Sequence, residues 1–381
     1  MSNDGQRGAG RLRAQGIEEL LAGAVADGVM PGAAVIVGDA DAVLLESYVG
    51  TVDGSAGAAV GPDTIYDLSS LTKPLATVAS LLILAARGDV DLDGPVARWL
   101  PELAAAGDEP ARRAITIRQL LAHASGLPAH RPFYRDVAAD AVGTPAGADR
   151  VIALAAAEPL EALPGERAVY SDLGFMLLGR LIERSAARSL DRFVAEELVA
   201  PLGLQSTAFV RVDEARAGDR RFAAARCAPC GDCGWRGGEV RGLVQDENAH
   251  AMGGVAGHAG LFASARDVHR LVAEHVRAHR GGPSVFDGEL VRACWTRGAE
   301  APQSTWAVGW DTPTAGRSTA GSLVAPDAVG HLGFTGTSVW VDNRRGVHVI
   351  LLTNRLHPDR ENTAIRALRP RLHDAVFAAL G

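Results

Sequence analysis

The sequence has 381 residues and a formal net charge of −7, with 47% hydrophobic and 22% charged residues. This composition predicts a globular protein with one large core or two smaller ones. The acidic balance, without a basic run or a basic-aromatic patch, argues against a nucleic-acid partner.

The same composition bears on location. The first ten residues are polar and glycine-rich and lack the apolar core of a signal peptide. The longest apolar run, from Val78 to Ala86, has about half the length that spans a membrane. We therefore expect a cytoplasmic protein without a membrane partner, whose four cysteines are reduced thiols or metal ligands.

The N-terminal part of the chain predicts a helix followed by a β-hairpin. Apolar residues recur at helical spacing from Arg11 to Asp27. Residues 33–37 and 42–49 are apolar or alternating runs on either side of a short turn, which predicts two paired strands.

The next stretch, Ser69 to Pro74, opens a second predicted helix. Proline is tolerated near a helix start, where its missing N–H is no loss. Ser70 is therefore expected at the N-terminal end of the helix, where N–H groups and the helix dipole favour a developing anion.

The middle of the chain is predicted to be mostly helical, with polar or acidic residues at the helix starts. The predicted helices span residues 75–87, 96–100, 116–122, 149–158, 172–187 and 191–200. Residues 207–260 are rich in glycine and are expected to be irregular.

The C-terminal part returns to strands and ends in a helix. A helix is predicted over 265–280, strands over 305–310, 336–341 and 347–353, and a last helix over 364–380 with an interruption at Pro370.

This order predicts an α+β fold, in which the first and last strands share one antiparallel sheet flanked by the terminal helices. The sheet domain would comprise residues 11–75 and 255–381, and residues 76–254 would form an inserted, mainly helical domain with a cysteine-containing loop. The crevice between the two parts is the expected place for an active site.

Lys73 is the only lysine in the chain, which otherwise uses arginine for positive charge. Arginine cannot lose its proton inside a protein, whereas a buried lysine can become a neutral amine and accept one. Ser70 lies one helical turn before Lys73. Because serine is a weak nucleophile until a base takes its proton, this spacing predicts Ser70 as nucleophile and Lys73 as its activating base.

Two further stretches carry groups suited to the same chemistry. Tyr170 precedes Ser171 and Asp172, and its phenol could act as general base and acid if an ammonium lowered its pKa. His331 opens a predicted strand and could donate a hydrogen bond to that phenol or to the substrate.

Gly333 and Phe334 follow His331 on that strand. Gly333 would let a substrate approach the backbone closely. The backbone N–H groups of Ser70 and Phe334 would then hold the oxyanion.

These stretches, Ser-x-x-Lys at 70–73, Tyr-Ser-Asp at 170–172 and His-Leu-Gly at 331–333, resemble the penicillin-recognising serine hydrolases. The similarity is strongest to the class C β-lactamase and esterase branch and extends from about residue 15 to residue 375. It implies the β-lactamase/transpeptidase-like fold, an acyl-enzyme intermediate, a small-molecule ester or amide substrate and no cofactor.

The sequence departs from that family at two positions. Asp172 stands where β-lactamases usually have asparagine, and an ionised carboxylate cannot donate to the antibiotic's acylamino side chain. His331 stands where many relatives have a permanently charged lysine. Both changes favour an ester, or an amide with a different acyl side, over an efficient β-lactamase.

Three alternatives to this assignment stay open. The chain could be a cytoplasmic amidase of cell-wall fragments, or a non-catalytic ligand sensor that has kept the fold. Cys227, Cys230 and Cys233 have the two-residue gaps of zinc or iron–sulfur ligands, with His250 or His258 as a possible fourth ligand. The cluster would then be a metal-binding or redox module; otherwise the loop carries free thiols.

Overall fold

A computed structural model describes residues 4–55, 57–105, 110–219, 221–298 and 300–381, with side chains from residue 15 onwards. Residues 1–3, part of the stretch on which the expected absence of a signal peptide depends, lie outside the described residues.

The strands are β1 (Gly32–Gly38), β2 (Val43–Gly50), β3 (Tyr66–Asp67), β4 (Ala208–Phe209), β5 (Asp232–Cys233), β6 (Gly238–Glu239), β7 (Leu261–Ala263), β8 (Val329–Leu332), β9 (Ser338–Asp342) and β10 (Val347–Thr353). The helices of the first half are α1 (Asp4–Ala26), α2 (Ala79–Ala86), α3 (Pro101–Ala105), α4 (Pro110–Ala114), α5 (Ile117–Leu121), α6 (Pro145–Ala157) and α7 (Asp172–Ala186). Those of the second half are α8 (Leu190–Val194), α9 (Val212–Arg216), α10 (Glu247–Ala251), α11 (Ala265–His279), α12 (Gly288–Trp295) and α13 (Ile365–Leu380).

A five-stranded antiparallel sheet in the order β2-β1-β10-β9-β8 forms the centre of the fold. The first and last long strands pair directly, from Ala33 opposite Thr353 to Gly38 opposite His348. The predicted α+β architecture, with its N- and C-terminal strands in one sheet, is confirmed.

The side chains of β1 alternate between the two faces of the sheet, and both faces are buried. Val35 and Val37 pack toward the terminal helices, in a cluster that includes Leu21 and Leu372. Ala34 and Ile36 face the larger core on the other side, which contains the helical part of the chain. Helix α11 covers this second face by contacting β1 and β10.

The helical segment Ser69–Ala86 is long and apolar enough to span a membrane by length and composition alone. Because 83% of its apolar window is buried inside the protein, the core accounts for its composition.

The division into domains at residues 75 and 255 stays a prediction.

Two sequence predictions about the C-terminal part are wrong. Residues 305–310 form no strand: Ala307 donates to the carbonyl of Trp310, and Gly309 has φ +78°, so the chain turns back on itself there. The edge of the sheet is formed by β8, the strand that contains His331, paired with β9.

The interruption at Pro370 is also absent, because α13 continues through it. Pro370 lies in the second turn of the helix, where its missing N–H costs a single intrahelical bond.

Helix α12 was not predicted. Its N-cap is Asp287, whose carboxylate accepts from the backbone N–H groups of Glu289 and Leu290.

Candidate active site

The turn before the nucleophile is held by a buried carboxylate. Asp67 accepts from the backbone N–H of Ser69 at 2.8 Å and of Gln245 at 2.6 Å. Ser69 has the left-handed φ of +50°, which serine rarely adopts. The chain then makes a 3₁₀ turn over Ser69–Leu71 and a π-helical segment over Lys73–Val78, so Ser70 lies at the start of the helical stretch, as predicted.

Lys73 is completely buried, and its three N–H donors all have acceptors. Its Nζ lies 3.1 Å from Ser70 Oγ, 2.7 Å from Asp172 Oδ1 and 3.1 Å from the carbonyl oxygen of His258. The lysine therefore joins the predicted nucleophile to the carboxylate of Asp172.

These neighbours set the charge of Lys73. Burial lowers the pKa of Lys73, but the electrostatic interactions with Asp172 and Tyr170 outweigh it and raise the pKa to about 12. Burial likewise raises the pKa of Asp172, and the ammonium of Lys73 more than offsets this, so the pKa lies well below its usual range. Lys73 is thus an ammonium in the resting site, so the predicted role of activating base requires that it first pass on a proton.

Asp172 is the first residue of α7, after Ser171, whose side chain caps the helix by accepting from Gly174. Its second oxygen, Oδ2, lies 3.5 Å from Nδ1 of the half-exposed His130. The sequence predicts Asp172 as a substrate-side residue, but its closest contact is Lys73 at 2.7 Å.

A second acid–histidine contact lies beside this pair. Asp246, the N-cap of α10, has its Oδ1 2.9 Å from His258 Nε2. Burial raises the pKa of Asp246, but the contact with His258 more than offsets this, so the pKa lies below its usual value. His258 therefore orients two groups: its backbone carbonyl holds Lys73, and its ring holds Asp246.

The ring centroid of Tyr170 lies 4.9 Å from Lys73 Nζ, and interactions with Lys73 and Ser70 lower the pKa of its phenol. Burial is the larger effect and leaves the pKa above its ordinary value, so Tyr170 is a phenol rather than a phenolate at rest. Its ring packs between His123 and Trp306, with centroids 4.7 Å and 5.4 Å away. The sequence pattern does not single out Trp306.

His331 lies on β8, on the strand where the sequence predicts it, with its ring centroid 6.0 Å from that of Tyr170. Its Nδ1 is 2.9 Å from the carbonyl oxygen of Leu332, and its buried Nε2 has no hydrogen-bond partner among the described residues. Burial and the charge of Lys73 lower the pKa of His331 to about 3. The ring is neutral, and donation to the phenol is absent from this arrangement.

Gly333 and Phe334 lie directly against the nucleophile turn. A Cβ on Gly333 would come within 2.0 Å of Thr337 Oγ1 and 2.7 Å of the Leu68 carbonyl oxygen, so only glycine fits. The buried guanidinium of Arg369 fixes this segment by donating to the carbonyl of Gly333 at 3.0 Å. The predicted oxyanion donor, Phe334 N–H, is engaged by Ser69 Oγ at 3.1 Å.

The cysteine cluster does not assemble a metal site. Cys227, Cys230 and Cys233 are buried, but no group of three histidine, cysteine, aspartate or glutamate side chains within the described ranges is placed to hold a metal ion. His258 is bound to Asp246, and His250 lies beside Arg236. The geometry therefore does not support the zinc alternative.

Comparisons with known proteins bear on the family of the chain. A family model described as Beta-lactamase matches residues 17–372. A protein named putative D-alanyl-D-alanine carboxypeptidase from Escherichia coli K12 is 31% identical over 310 residues, which cover 77% of this chain and 70% of the relative. A protein with the same name from Salmonella agona is 30% identical over 330 residues, covering 83% and 74%.

Solved structures share the fold. EstCE1, described as a hydrolase with promiscuous acyltransferase activity, superposes with a TM-score of 0.73 at 23% identity, covering 97% of this chain and 98% of the other. The octameric penicillin-binding protein homologue from Pyrococcus abyssi gives a TM-score of 0.69 at 20% identity, covering 96% and 76%.

Proposed function

The chain belongs to the β-lactamase family of serine hydrolases, and on that premise we propose that it hydrolyses an ester or amide through an acyl-enzyme on Ser70. The observation that carries this proposal is the contact of 3.1 Å between Ser70 Oγ and Lys73 Nζ, with the ring of Tyr170 centred 4.9 Å from the same Nζ. Nucleophile, ammonium and phenol thus lie in one cluster, as proton transfer among them requires.

Because Lys73 is charged at rest, it can accept the proton of Ser70 only by giving one of its own away. Asp172, at 2.7 Å, is the acceptor in reach. In the proposed first step the hydroxyl proton of Ser70 moves to Lys73 while a Lys73 proton moves to Asp172. The Oγ attacks the substrate carbonyl, and the ammonium–carboxylate pair becomes an ammonium and a neutral carboxylic acid.

The negative charge of the tetrahedral intermediate then lies on the former carbonyl oxygen. The backbone N–H groups of Ser70 and Phe334 stabilise it there. For Phe334 this requires the hydroxyl of Ser69 to turn away, since that hydroxyl accepts from the same N–H at rest.

The intermediate collapses when the leaving group takes a proton from the phenol of Tyr170. The phenol is restored by a proton from Asp172, relayed through Lys73, so the site returns to its resting protonation with Ser70 acylated. Water then replaces the leaving group, and the same transfers in reverse order release the acid and regenerate the Ser70 hydroxyl.

The site is less suited to an anionic substrate than the site of an enzyme that binds a substrate carboxylate. His331 is neutral, and the carboxylates of Asp172 and Asp246 lie in the site, beside Lys73 and His258 respectively. This favours neutral or cationic acyl groups. The name of the curated relatives adds peptides ending in D-alanyl-D-alanine to the substrates that should be tried.

A substrate panel tests the proposal. We expect the full chain to hydrolyse short p-nitrophenyl esters and Ser70→Ala to lose this activity, with a chromogenic cephalosporin turned over more slowly than the esters. D-alanyl-D-alanine peptides and muramyl-peptide amides in the same panel identify a peptidase or cell-wall-fragment amidase. If Ser70→Ala kept wild-type rates, or if the wild type turned over none of these compounds, the hydrolase proposal would fail.

A further inference from the structure

A cavity whose lining contains none of the catalytic residues lies beside α10. It encloses about 710 Å³ and is lined by Tyr134, Arg135, Arg216, Trp235, Arg236 and His250, among others. Helix α10 links the two places: its N-cap Asp246 contacts His258 in the active site, and His250, one turn further on, faces this cavity.

Three of the arginines that line the cavity are not paired with carboxylates. Arg135, Arg216 and Arg236 have no carboxylate within salt-bridge distance among the described residues. They donate to neutral groups instead: the hydroxyl of Tyr134 at 3.2 Å, the carbonyl of Val142 at 2.7 Å and the carbonyl of Val244 at 2.6 Å, respectively.

Another arginine of the same cavity, in contrast, is paired with carboxylates. Arg241 is paired with Glu239 at 3.0 Å and with Asp53 at 3.1 Å. The chain as a whole carries a net charge of −7, so these three arginines give the cavity a local charge opposite to that of the whole chain.

The floor of the cavity is formed by His250 and Arg236, and the arginine charges affect His250. His250 is buried, and burial together with Arg236 and Arg216 lowers the pKa of His250 to about 3. Its Nδ1 is 3.3 Å from Arg236 Nη1, so the neutral ring accepts from the guanidinium there. The Nε of Arg236 is buried and has no hydrogen-bond partner in the described part of the chain, which leaves a donor unsatisfied at this place.

Two aromatic rings form the remaining wall. Tyr134 and Trp235 have ring centroids 4.7 Å apart, and 38% of Trp235 is exposed. An exposed tryptophan beside unpaired guanidinium groups offers a flat apolar surface next to anion donors.

We propose that this cavity binds a small anion, a phosphate or carboxylate, attached to a ring that packs on Trp235. Arg135 and Arg216 neutralise the anionic group at the rim, Arg236 and His250 form the floor, and the indole takes the ring. The ligand is either a free effector or the distal end of the substrate; both present the same chemistry. The site does not depend on the hydrolytic activity proposed above.

Calorimetric titration of the full-length chain with phenyl phosphate tests the proposal. We expect saturable binding with one site per chain, weaker binding of inorganic phosphate and none of phenol. Arg216→Gln and Arg135→Gln should each weaken phenyl phosphate binding roughly tenfold, since each removes one charge-assisted contact. Trp235→Leu should abolish the preference for phenyl phosphate over inorganic phosphate.

Arg192→Gln is the matched control, because Arg192 is an exposed arginine paired with Glu196 on α8. Absence of saturable binding to the wild type, or binding that Arg135→Gln, Arg216→Gln and Arg192→Gln all leave unchanged, would overturn the proposal. Titration of Ser70→Ala should match the wild type, which separates this outcome from any failure of the hydrolase proposal.

Kinetics with the best ester distinguish the two sources of the ligand. Competitive inhibition by phenyl phosphate, lost in Arg216→Gln, identifies the cavity as the distal substrate site. A change in kcat alone identifies a free effector.

Discussion

Asp172 Oδ1 lies 2.7 Å from Lys73 Nζ, although the two residues are 99 positions apart in the chain. The contact keeps the only lysine of the protein charged and gives it a group to which it can pass a proton. It also takes Asp172 away from the substrate-binding role suggested by its place beside Tyr170. The predictions below follow from this contact and from its neighbours.

Lys73→Arg keeps the positive charge beside Asp172 but removes proton exchange, because a guanidinium stays protonated. We expect turnover of the best ester to fall below about 1% of wild type. Far-UV circular dichroism and the melting temperature should show a folded protein. Arg192→Lys, at an exposed position, is the control and should be fully active; a Lys73→Arg variant with more than a few per cent of activity contradicts the relay.

Asp172→Asn removes the proton acceptor and leaves the shape of the side chain. We expect kcat to fall at least about a hundredfold. Without the carboxylate the pKa of Lys73 drops from about 12, so the remaining activity should rise with pH as the amine becomes neutral, whereas the wild type shows no such alkaline increase.

The control for Asp172→Asn is Asp149→Asn, an exposed carboxylate paired with Arg180, which should change neither kcat nor its pH profile. A variant that lost stability but kept kcat and the wild-type pH profile would show that Asp172 only holds the structure together.

His130 should make activity depend on pH near neutrality. The hydrogen bond to Asp172 is the largest effect on the pKa of His130 and raises it above 6.5. Protonated His130 makes Asp172 a poorer proton acceptor, so kcat/KM should rise as pH increases through the raised pKa. In His130→Gln this rise should disappear; an unchanged profile would exclude His130 as its origin.

The contact between His130 and Asp172 has the opposite pH dependence in its effect on stability. A raised histidine pKa stabilises the folded state below pH 6.5, and that contribution is lost as pH rises through the folded value. Because half of the His130 side chain is exposed, the loss should stay below about 1 kcal/mol. Urea unfolding of wild type and His130→Gln across this range measures it.

Ser69→Gly should speed acylation. Glycine accepts the left-handed backbone of this position and removes the hydroxyl that engages Phe334 N–H at rest. Freeing one hydrogen bond of about 1 kcal/mol should raise the acylation rate about fivefold, measured in single-turnover experiments. Ser69→Ala also lacks the hydroxyl and should be faster than wild type; slower acylation in both variants would mean that Ser69 supports the oxyanion site.

Local patterns were sufficient to predict part of this structure. The spacing of Ser70 and Lys73 and the apolar runs of β1 and β10 depend on neighbouring residues, whose geometry the backbone fixes. The pairing of those strands followed because buried strands require partners.

The remaining features depend on contacts between distant segments. The charge of Lys73 is set by Asp172 and by a carbonyl in the glycine-rich loop, and neither is visible in the spacing of Ser-x-x-Lys. The residues 305–310 alternate like a strand, but Gly309 reverses the chain. The cysteine spacing matches a metal motif, yet the side chains that could complete it bind Asp246 and Arg236 instead.

The central claim is that Ser70 is the nucleophile activated by Lys73. Intact-protein and peptide mass spectrometry after treatment with a fluorophosphonate tests it most directly. We predict one adduct per chain on Ser70 in the wild type and in Ser69→Gly, and none in Ser70→Ala or Lys73→Arg. An adduct of equal yield in Ser70→Ala, or one located on another residue, would contradict it.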